Sequence, residues 1–367
     1  MVNTNDFQKA VELIDKSSNV LITTHIKPDG DACGCMAAIS ETLTALGKNV
    51  KILLLSELPA WYEFLFEQKP EIFSKKTKIT SASLPRGSSV GQALGKNDLI
   101  VIVDTDSYNQ LPQLDKYLKK CRAGLAPTIL VIDHHETPES SVEDRIGGNI
   151  RLIDNSAAAT ALIVFDLLKY ANWPITKKIA ETLFVAVSTD TGWFQFSNTD
   201  SRVHRCCAEL LDAGANPTQV YHHLYQNFSH QRLKLLAAML NTLELHLDGR
   251  FATQHLTQAD FMRTGAKYSD TENLIDECRR INSIQAAALF VEQPDGKVKV
   301  SLRSRGPINV SKIATKFEGG GHKMAAGAHL PGPIENAKKL ILAEMAEQFE
   351  QSFDSAQDGE RKVEPST

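Results

Sequence analysis

The sequence predicts an α/β fold, in which a parallel-sheet N-terminal domain is joined by a helical linker to a smaller mixed α/β C-terminal domain. In the first half of the chain, apolar runs with strand character alternate with helical stretches, which is typical of an open α/β sheet. Two of these runs, Leu99–Val103 and Thr128–Ile132, are short and rich in β-branched residues, as expected for parallel strands covered on both faces. The 367 residues are enough for two domains with substantial cores.

The remaining elements of the first domain follow from the apolar spacing. They are strands at Val20–Thr24 and Val50–Leu55, a helix between them that ends at Leu46-Gly47, and helices over Ala157–Tyr170 and Thr176–Val187. Gly47 suits the residue just beyond a helix C-terminus. Residues 74–97 are crowded with Lys, Ser, Gly and Thr and are predicted to form a surface excursion.

The second half begins with a long helical stretch over 217–247, which we expect to connect the two halves. Beyond Arg250 the sequence predicts a strand at Ala286–Glu292, a Pro-Asp-Gly turn, and an alternating strand at Lys297–Arg305. The expected organisation is therefore a metal-binding domain over 1–216, a helical linker over 217–249, a substrate-binding domain over 250–350, and a disordered polar tail over 351–367.

Composition indicates a cytoplasmic globular protein. Net charge is −4, so no global field draws in a polyanion and any attraction for anions must be local. No apolar run approaches the roughly 18–20 residues that span a bilayer, and the N-terminus does not have the pattern of a signal peptide. Six cysteines without a Cys-x-x-Cys pair indicate a reducing compartment, in which we expect Cys33, Cys35, Cys206 and Cys207 to be packing residues.

Acidic and histidine side chains recur where apolar elements end. Four such elements are followed by His25, Asp29 and Asp31, by Asp104, by Asp133, His134 and His135, and by Asp190. Because the carboxyl ends of parallel strands face one crevice, these groups are expected to converge there. A Pro-Asp-Gly turn, a strand-end aspartate or a His-His pair has an ordinary structural explanation when it stands alone. Their joint placement after four elements favours a functional site.

A cluster with this many carboxylates requires cations to offset the like charges. Oxygen-rich ligation with a minority of imidazole suits Mn²⁺ or Mg²⁺ better than zinc of the thiolate type. Six ligands exceed the needs of one partly hydrated ion, so we expect two ions about 3.5–4 Å apart that share a carboxylate. Such a pair activates a water against a phosphoryl group, which predicts phosphate-ester hydrolysis.

The C-terminal half contains a second set of candidate residues, suited to anions. Along the strand Lys297–Arg305 the basic residues share one face and the apolar residues share the other. The planar forks of Arg303 and Arg305 suit phosphate. Downstream, Gly319-Gly320-Gly321-His322 leads into Met324–Ala326, which we expect to begin a helix whose N-terminus favours an anion. The alternative is an edge strand protected by lysines, followed by a loop that merely turns.

These motifs resemble the DHH phosphoesterase family over about residues 5–350. Four stretches are similar to its N-terminal motifs: Thr24 to Asp31, Asp104, Asp133-His134-His135, and Asp190-Thr191-Gly192. Arg303-Ser304-Arg305 and Gly319–His322 are similar to motifs of its associated C-terminal domain. The likeness is greatest to the nanoRNase and pAp-phosphatase branch, which carries Thr-Asp-Thr-Gly followed by Phe-x-x-Ser-Asn-Thr.

The resemblance implies an enzyme with a pair of Mn²⁺ ions, or Mg²⁺, that hydrolyses short RNA oligonucleotides and 3′-phosphoadenosine 5′-phosphate (pAp). It implies metal ligation by His25, Asp29, Asp31, Asp104, His134 and Asp190, with Asp104 as the bridge. It further implies that His135 contacts the scissile phosphate and that Asp133 orients an imidazole. Substrate would be held by Arg303, Ser304, Arg305, Gly319, Gly320, Gly321 and His322. A homodimer is left open.

Two departures from the family pattern bear on substrate choice. Relatives commonly carry an arginine where this chain has Asn109-Gln110-Leu111, and they usually have a fourth glycine where it has Glu318. The alternatives are a phosphodiesterase for cyclic di-AMP or linear pApA, an inorganic pyrophosphatase or exopolyphosphatase, and a non-catalytic nucleotide-binding module. Every predicted ligand position retains a ligating residue, which argues against the last.

Overall fold

A computed structural model describes residues 2–73, 97–112, 114–122, 127–135 and 143–360 of the chain. Contacts between residues divide it into two compact units, Met1–Asn227 and Phe228–Thr367. Nearly all of the predicted surface excursion, residues 74–96, lies outside the described residues. Within the described ranges, every helix is too short or too polar to cross a bilayer.

The first unit is built on a six-stranded parallel sheet, as predicted. Its strands are β1 (Asn19–Thr24), β2 (Asn49–Leu54), β3 (Glu71–Ile72), β4 (Leu99–Val103), β5 (Thr128–Asp133) and β6 (Ile150–Ile153). Its helices are α1 (Thr4–Lys16), α2 (Gly30–Ala45), α3 (Asp115–Arg122), α4 (Thr160–Tyr170), α5 (Lys177–Asp190), α6 (Ser201–Asp212) and α7 (Pro217–Tyr225), with 3₁₀ turns at Ala60–Leu65 and Tyr108–Gln110.

The strand order, β3-β2-β1-β4-β5-β6, decides where a site can form. The chain proceeds outward from β1 in one direction and outward from β4 in the other, so the order reverses between these two strands. In an open parallel sheet, ligands bind in the crevice at the carboxyl ends of the strands beside such a reversal. All five residues of β4 are buried, which confirms the prediction of a strand covered on both faces.

The second unit is built on a mixed six-stranded sheet of order β11-β12-β10-β9-β8-β7. Its strands are β7 (Glu244–His246), β8 (Phe251–Leu256), β9 (Ala286–Glu292), β10 (Lys297–Ser304), β11 (Gly320–His322) and β12 (Ala325–Pro331). Its helices are α8 (His230–Leu240), α9 (Gln258–Thr264), α10 (Val310–Lys316) and α11 (Ile334–Glu360), with 3₁₀ turns at Tyr268–Thr271 and Leu274–Arg280. Strands β8 and β9 pair in parallel and the other neighbours are antiparallel.

The predicted helix start at Met324–Ala326 is wrong. The chain there enters strand β12, which pairs with both β10 and β11. Burial alternates along β12, with Ala326, Ala328 and Leu330 buried. This period of two is the pattern of a strand that covers a core with one face.

Two further stretches differ from the expected helical linker and tail. The helical stretch over 217–247 is interrupted between α7 and α8, where the Ser229 side chain caps a new helix by accepting from the amide of Arg232. The helical prediction is also wrong at its end, because α8 stops at Leu240 and Glu244–His246 form strand β7. Helix α11 continues to Glu360, so ten residues of the expected disordered tail are helical. Met345 and Phe349 are buried earlier in α11, and a helix that is already formed extends at little cost. Residues 361–367 lie outside the described residues.

Candidate metal centre and anion-binding strand

All six predicted metal ligands lie close together at the carboxyl edge of the first sheet. They form two groups in which the candidate ligand atoms lie within 4.8 Å of one another: His25, Asp29 and Asp104 in one, and Asp31, His134 and Asp190 in the other. A third group of this kind joins Asp104, His134 and His135. Helices α2 and α5 and strands β1, β4 and β5 deliver these residues from positions far apart in sequence.

In the first group, His25 directs one ring nitrogen toward Asp104. His25 Nδ1 lies 3.0 Å from the carbonyl oxygen of Ile26, so Nδ1 carries the proton and donates. Its other ring nitrogen, Nε2, lies 3.5 Å from Asp104 Oδ2. Asp29 joins this group from the N-cap of α2, where its carboxylate accepts from the amide of Ala32 at 3.1 Å. One imidazole nitrogen and two carboxylates therefore face one point.

In the second group, His134 is oriented in the same manner. Its Nδ1 lies 3.0 Å from the carbonyl oxygen of Ala157, which fixes Nε2 as an acceptor. That atom lies 3.5 Å from Asp190 Oδ2 and 4.0 Å from Asp31 Oδ2. It is buried and makes no hydrogen bond within the described part of the chain. A buried imidazole lone pair directed at carboxylates fits a cation between them.

Asp104 connects the two groups through its two carboxylate oxygens. Oδ2 faces His25, whereas Oδ1 lies 3.7 Å from His134 Nε2. The residue has a positive φ of 61°, a conformation that aspartate tolerates better than most residues. Its amide donates to the carbonyl oxygen of Ile132 at 2.9 Å and so ties it to β5. This backbone conformation thus places the Asp104 carboxylate between the two groups.

The electrostatics of the cluster indicate that its carboxylates need a counter-charge. Burial and the charges of neighbouring aspartates raise the pKa of Asp31 and Asp104 well above the ordinary value. Burial and Asp29 raise the pKa of Asp190 to about 7, and burial lowers the pKa of His134. Divalent cations would restore these groups to their ligating forms. The donor set, with four carboxylates and two imidazoles, fits hard or borderline divalent ions.

Close packing of α2 on α5 brings Asp29 and Asp31 near Asp190. A Cβ atom added at Gly30 would lie 2.2 Å from Thr189 Oγ1, and one added at Gly34 would lie 2.4 Å from the carbonyl oxygen of Thr182. Larger residues at these two positions would push the helices apart. Gly30 and Gly34 therefore allow the two helices to pack closely, which is a function beyond turn formation.

His135 belongs to the third group and lies at the exposed side of the cluster. Its Nδ1 lies 2.8 Å from Asp133 Oδ1 and 3.7 Å from Asp104 Oδ1. Although burial disfavours the charged ring, the hydrogen bond and charge of the buried Asp133 outweigh it and raise the pKa of His135. The side chain is 52% exposed, so its other nitrogen is accessible to an anion.

In the second unit, β10 alternates as predicted. Val298, Val300 and Leu302 are buried, whereas Lys297 and Lys299 are exposed. Another basic residue of this unit, Lys316, is paired, because its ammonium group contacts Glu344 and Glu347 of α11.

The two predicted arginines, Arg303 and Arg305, both contact the 3₁₀ turn Leu274–Arg280. Arg303 Nε lies 3.7 Å from Asp276 Oδ1, which also accepts from Arg279 at 2.6 Å. Arg305 donates to the carbonyl oxygen of Arg279. Ser304 lies differently, because it is buried and its hydroxyl donates to the carbonyl oxygen of Ile308 at 2.9 Å. A contact between Ser304 and a substrate would require that bond to break.

The three predicted glycines follow α10 but differ in their surroundings. A Cβ at Gly319 would lie 2.3 Å from the carbonyl oxygen of Gly327, and one at Gly321 would lie 2.5 Å from that of Ala325. At Gly320 an added Cβ would meet nothing within 4 Å. The fold therefore requires glycine at 319 and 321 and leaves the space above Gly320 open. The side chain of His322 lies outside the described part of the chain.

One stretch that contacts the metal cluster, residues 154–161, was not predicted from the residue pattern, and we name it the β6–α4 segment. Thr160 and Ala161 donate their amides to Asp31 at 2.6 and 3.1 Å. The Thr160 hydroxyl donates to Asp104 Oδ1 at 3.0 Å. These contacts come mainly from backbone groups, which a residue pattern does not reveal.

Comparison with known proteins gives matches over both units. The model of the DHH family N-terminal domain matches residues 19–187, and that of the DHHA1 domain matches residues 250–351. A bifunctional oligoribonuclease and PAP phosphatase NrnA of Thermus thermophilus is 30% identical over 90% of this chain and 90% of its own length.

Two further proteins match at greater distance. A cyclic-di-AMP phosphodiesterase PdeA of Listeria monocytogenes is 25% identical over 96% of this chain, which spans half of that relative. Among solved structures, an exopolyphosphatase-related protein of Bacteroides fragilis superimposes with a TM-score of 0.81 at 21% identity, covering 96% of this chain and 97% of that one.

Proposed function

We propose that this chain, which belongs to the DHH family, is a divalent-metal phosphoesterase that hydrolyses short oligoribonucleotides and pAp to nucleoside monophosphates. The observation that carries the proposal is Asp104, whose two carboxylate oxygens face His25 in one ligand group and His134 in the other. The relative in Thermus thermophilus bears the name of both activities and matches over 90% of each chain.

The metal ligands would be His25, Asp29 and Asp104 in one group and Asp31, His134 and Asp190 in the other, with Asp104 shared. The buried, unbonded Nε2 of His134 and the raised pKa values of the aspartates support cation binding at this place. Mn²⁺ is our first choice and Mg²⁺ the second, since carboxylate with imidazole suits both. A bound pair would supply charge that neutralises phosphoryl oxygens and acidifies an attacking water.

His135 in the first unit and the candidate anion-binding residues of the second unit would hold the substrate. His135, kept in one orientation by Asp133, would donate a hydrogen bond to a phosphoryl oxygen of the scissile group. Arg303, Arg305 and the backbone of Gly319–Gly321 would bind a terminal phosphate, with the open space at Gly320 allowing close approach. Five cysteines, Cys33, Cys35, Cys206, Cys207 and Cys278, are free and buried, and we place the enzyme in the reducing cytoplasm.

A substrate panel tests the proposal. Purified chain is incubated with Mn²⁺ or Mg²⁺ and with pAp, linear pApA and short RNA, and nucleoside monophosphates are quantified. We expect AMP from pAp and pApA. Unchanged substrates with both ions would reject the enzymatic proposal, and binding without turnover would favour a nucleotide-binding module.

The second candidate activity is hydrolysis of cyclic di-AMP. It is favoured by the match to the Listeria monocytogenes phosphodiesterase, although this chain spans only half of that protein. Rates on cyclic and linear dinucleotides, measured with the same enzyme preparation, separate the two. We expect the linear form to be cleaved faster.

A further inference from the structure

The β6–α4 segment contacts ligands of both proposed metal groups through a single residue, Thr160. Its amide donates to Asp31 Oδ2 at 2.6 Å and its hydroxyl donates to Asp104 Oδ1 at 3.0 Å. Thr160 is fully buried, so water does not compete for these bonds. Because Asp31 and Asp104 belong to different ligand groups, Thr160 fixes the two carboxylates relative to each other.

The same segment also orients an imidazole ligand. The carbonyl oxygen of Ala157 accepts from His134 Nδ1 at 3.0 Å, which leaves Nε2 unprotonated and directed into the cluster. The Asn155 side chain donates to the carbonyl oxygen of His134 at 3.3 Å. Hydrogen bonds of this kind to ligand side chains set the tautomer and orientation that a metal requires.

The start of the segment is anchored by an ion pair from another helix. The buried carboxylate of Asp154 accepts from the amide and hydroxyl of Ser156, at 3.1 and 2.5 Å, and from Arg202 Nη1 at 2.8 Å. Arg202 Nη2 donates to Asp166 of α4 at 2.7 Å. The guanidinium on α6 therefore joins the beginning of the segment to the helix that follows it.

The chemistry of this anchor suits a permanent charge pair. Burial disfavours ionisation of Asp154, but the bonds from Ser156 and Arg202 outweigh it and hold its pKa well below the usual value. Asp154 also donates its amide to the carbonyl oxygen of Asp133 at 3.1 Å. The anchor is thus continuous with the strand that delivers His134.

We propose that the β6–α4 segment is a positioning element for the metal pair, fixed at its start by Arg202 and acting on the ligands through Thr160. The inference rests on the proposed metal-dependent function. Thr160 and Arg202 act through the ligands and are positioning residues. Loss of such outer contacts weakens metal binding while the ligands themselves remain.

The test is a titration of the full-length chain with Mn²⁺, in which free Mn²⁺ is measured by electron paramagnetic resonance without substrate. Thr160→Val removes the hydroxyl but keeps the shape and the amide, and Thr160→Ser restores the hydroxyl. We expect Thr160→Val and Arg202→Gln to weaken Mn²⁺ binding by about tenfold or more. Thr160→Ser should bind nearly as the unmodified chain does.

Lys169→Met provides a matched control. Lys169 of α4 pairs with Glu209 of α6 at the surface, so this variant breaks a different ion pair between the same two helices. We expect its Mn²⁺ affinity to be unchanged. Equal affinities of Arg202→Gln and Lys169→Met would overturn the role of Arg202, and unaltered binding by Thr160→Val would overturn the role of the segment.

The outcomes separate this inference from the proposed function. An unmodified chain that binds no Mn²⁺ would contradict the metal-dependent function itself. An unmodified chain that binds Mn²⁺ and cleaves pAp, together with variants of equal affinity, would contradict only the positioning role. If Arg202→Gln does not fold, the comparison of Thr160→Val with Thr160→Ser decides, since neither disturbs the anchor.

Discussion

His25 Nε2 lies 3.5 Å from Asp104 Oδ2, at the point where the strand order of the first sheet reverses. The other carboxylate oxygen of Asp104 faces His134. One side chain at the end of β4 thus connects candidate ligands delivered by β1 and β5.

Asp104→Asn should abolish hydrolysis while the fold is kept. Asparagine tolerates the positive φ at this position but lacks the negative charge shared by both ligand groups. We expect kcat to fall by roughly 10³-fold or more, since such charge is worth several kcal/mol to the transition state. In EDTA the melting temperature should not fall, because the charge that this substitution removes is buried and is repelled by Asp31 and Asp29. Turnover of pAp within tenfold of normal at saturating Mn²⁺ would refute the bridging role.

The metal-free chain should lose stability as the pH rises through about 7. Burial and Asp29 raise the pKa of Asp190 to about 7 in the folded chain, above its value of about 4 in the unfolded chain. A carboxyl with a raised pKa stabilises the fold at low pH, and this contribution disappears as it ionises. Thermal melts in EDTA between pH 4.5 and 8.5 should show the decline, which lies between the two pKa values and levels off above a pH of about 7, and Mn²⁺ should reverse it. A melting temperature in EDTA that rises over this range would contradict the assignment.

Glu318→Gly should stabilise the second unit. Glu318 follows α10 with φ of 55°, and Gly319 closes the helix by donating its amide to the carbonyl oxygen of Ala314 at 2.9 Å. Glycine adopts this conformation without the penalty of about 1 kcal/mol that other residues incur. Urea unfolding should therefore show a gain of about 1 kcal/mol. Glu318→Ala removes the charge but keeps the strain, so an equal gain in that variant would attribute the effect to charge.

Substitutions at Gly320 and Gly321 should separate binding from folding. An added Cβ at Gly321 would lie 2.5 Å from the carbonyl oxygen of Ala325 and the backbone has φ of 138°, so Gly321→Ala should cost about 2 kcal/mol or more of stability. Gly320 has open space, so Gly320→Ala should fold normally and raise KM for pAp with little change in kcat. Stability measurements and kinetics on both variants check this. An unaltered KM in Gly320→Ala would show that substrate does not approach this glycine.

The elements of the first unit were predictable because their apolar runs are long and their ends are marked. Strands β1, β4 and β5 lie within one residue of their predicted bounds, since continuous β-branched runs require burial on both faces. The clustering of the six residues was also predictable, because they lie in the stretches that follow successive apolar elements of the chain. The start of β12 was not, because Met324–Ala326 has a composition that suits a helix as well as a strand. Pairing with β10 and β11 decided between them.

The sequence by itself determined which side chains are candidates for the chemistry and at which edge of the sheet they lie, because strand ends and residue types are local properties. Only the tertiary structure decided how the six ligands divide into two groups, that Gly320 differs from Gly319 and Gly321, and that the β6–α4 segment supports the cluster. These features depend on backbone amides, carbonyl oxygens and close packing between elements distant in sequence. Every residue carries the same backbone groups, so their use is set by the fold and leaves no pattern of residue types.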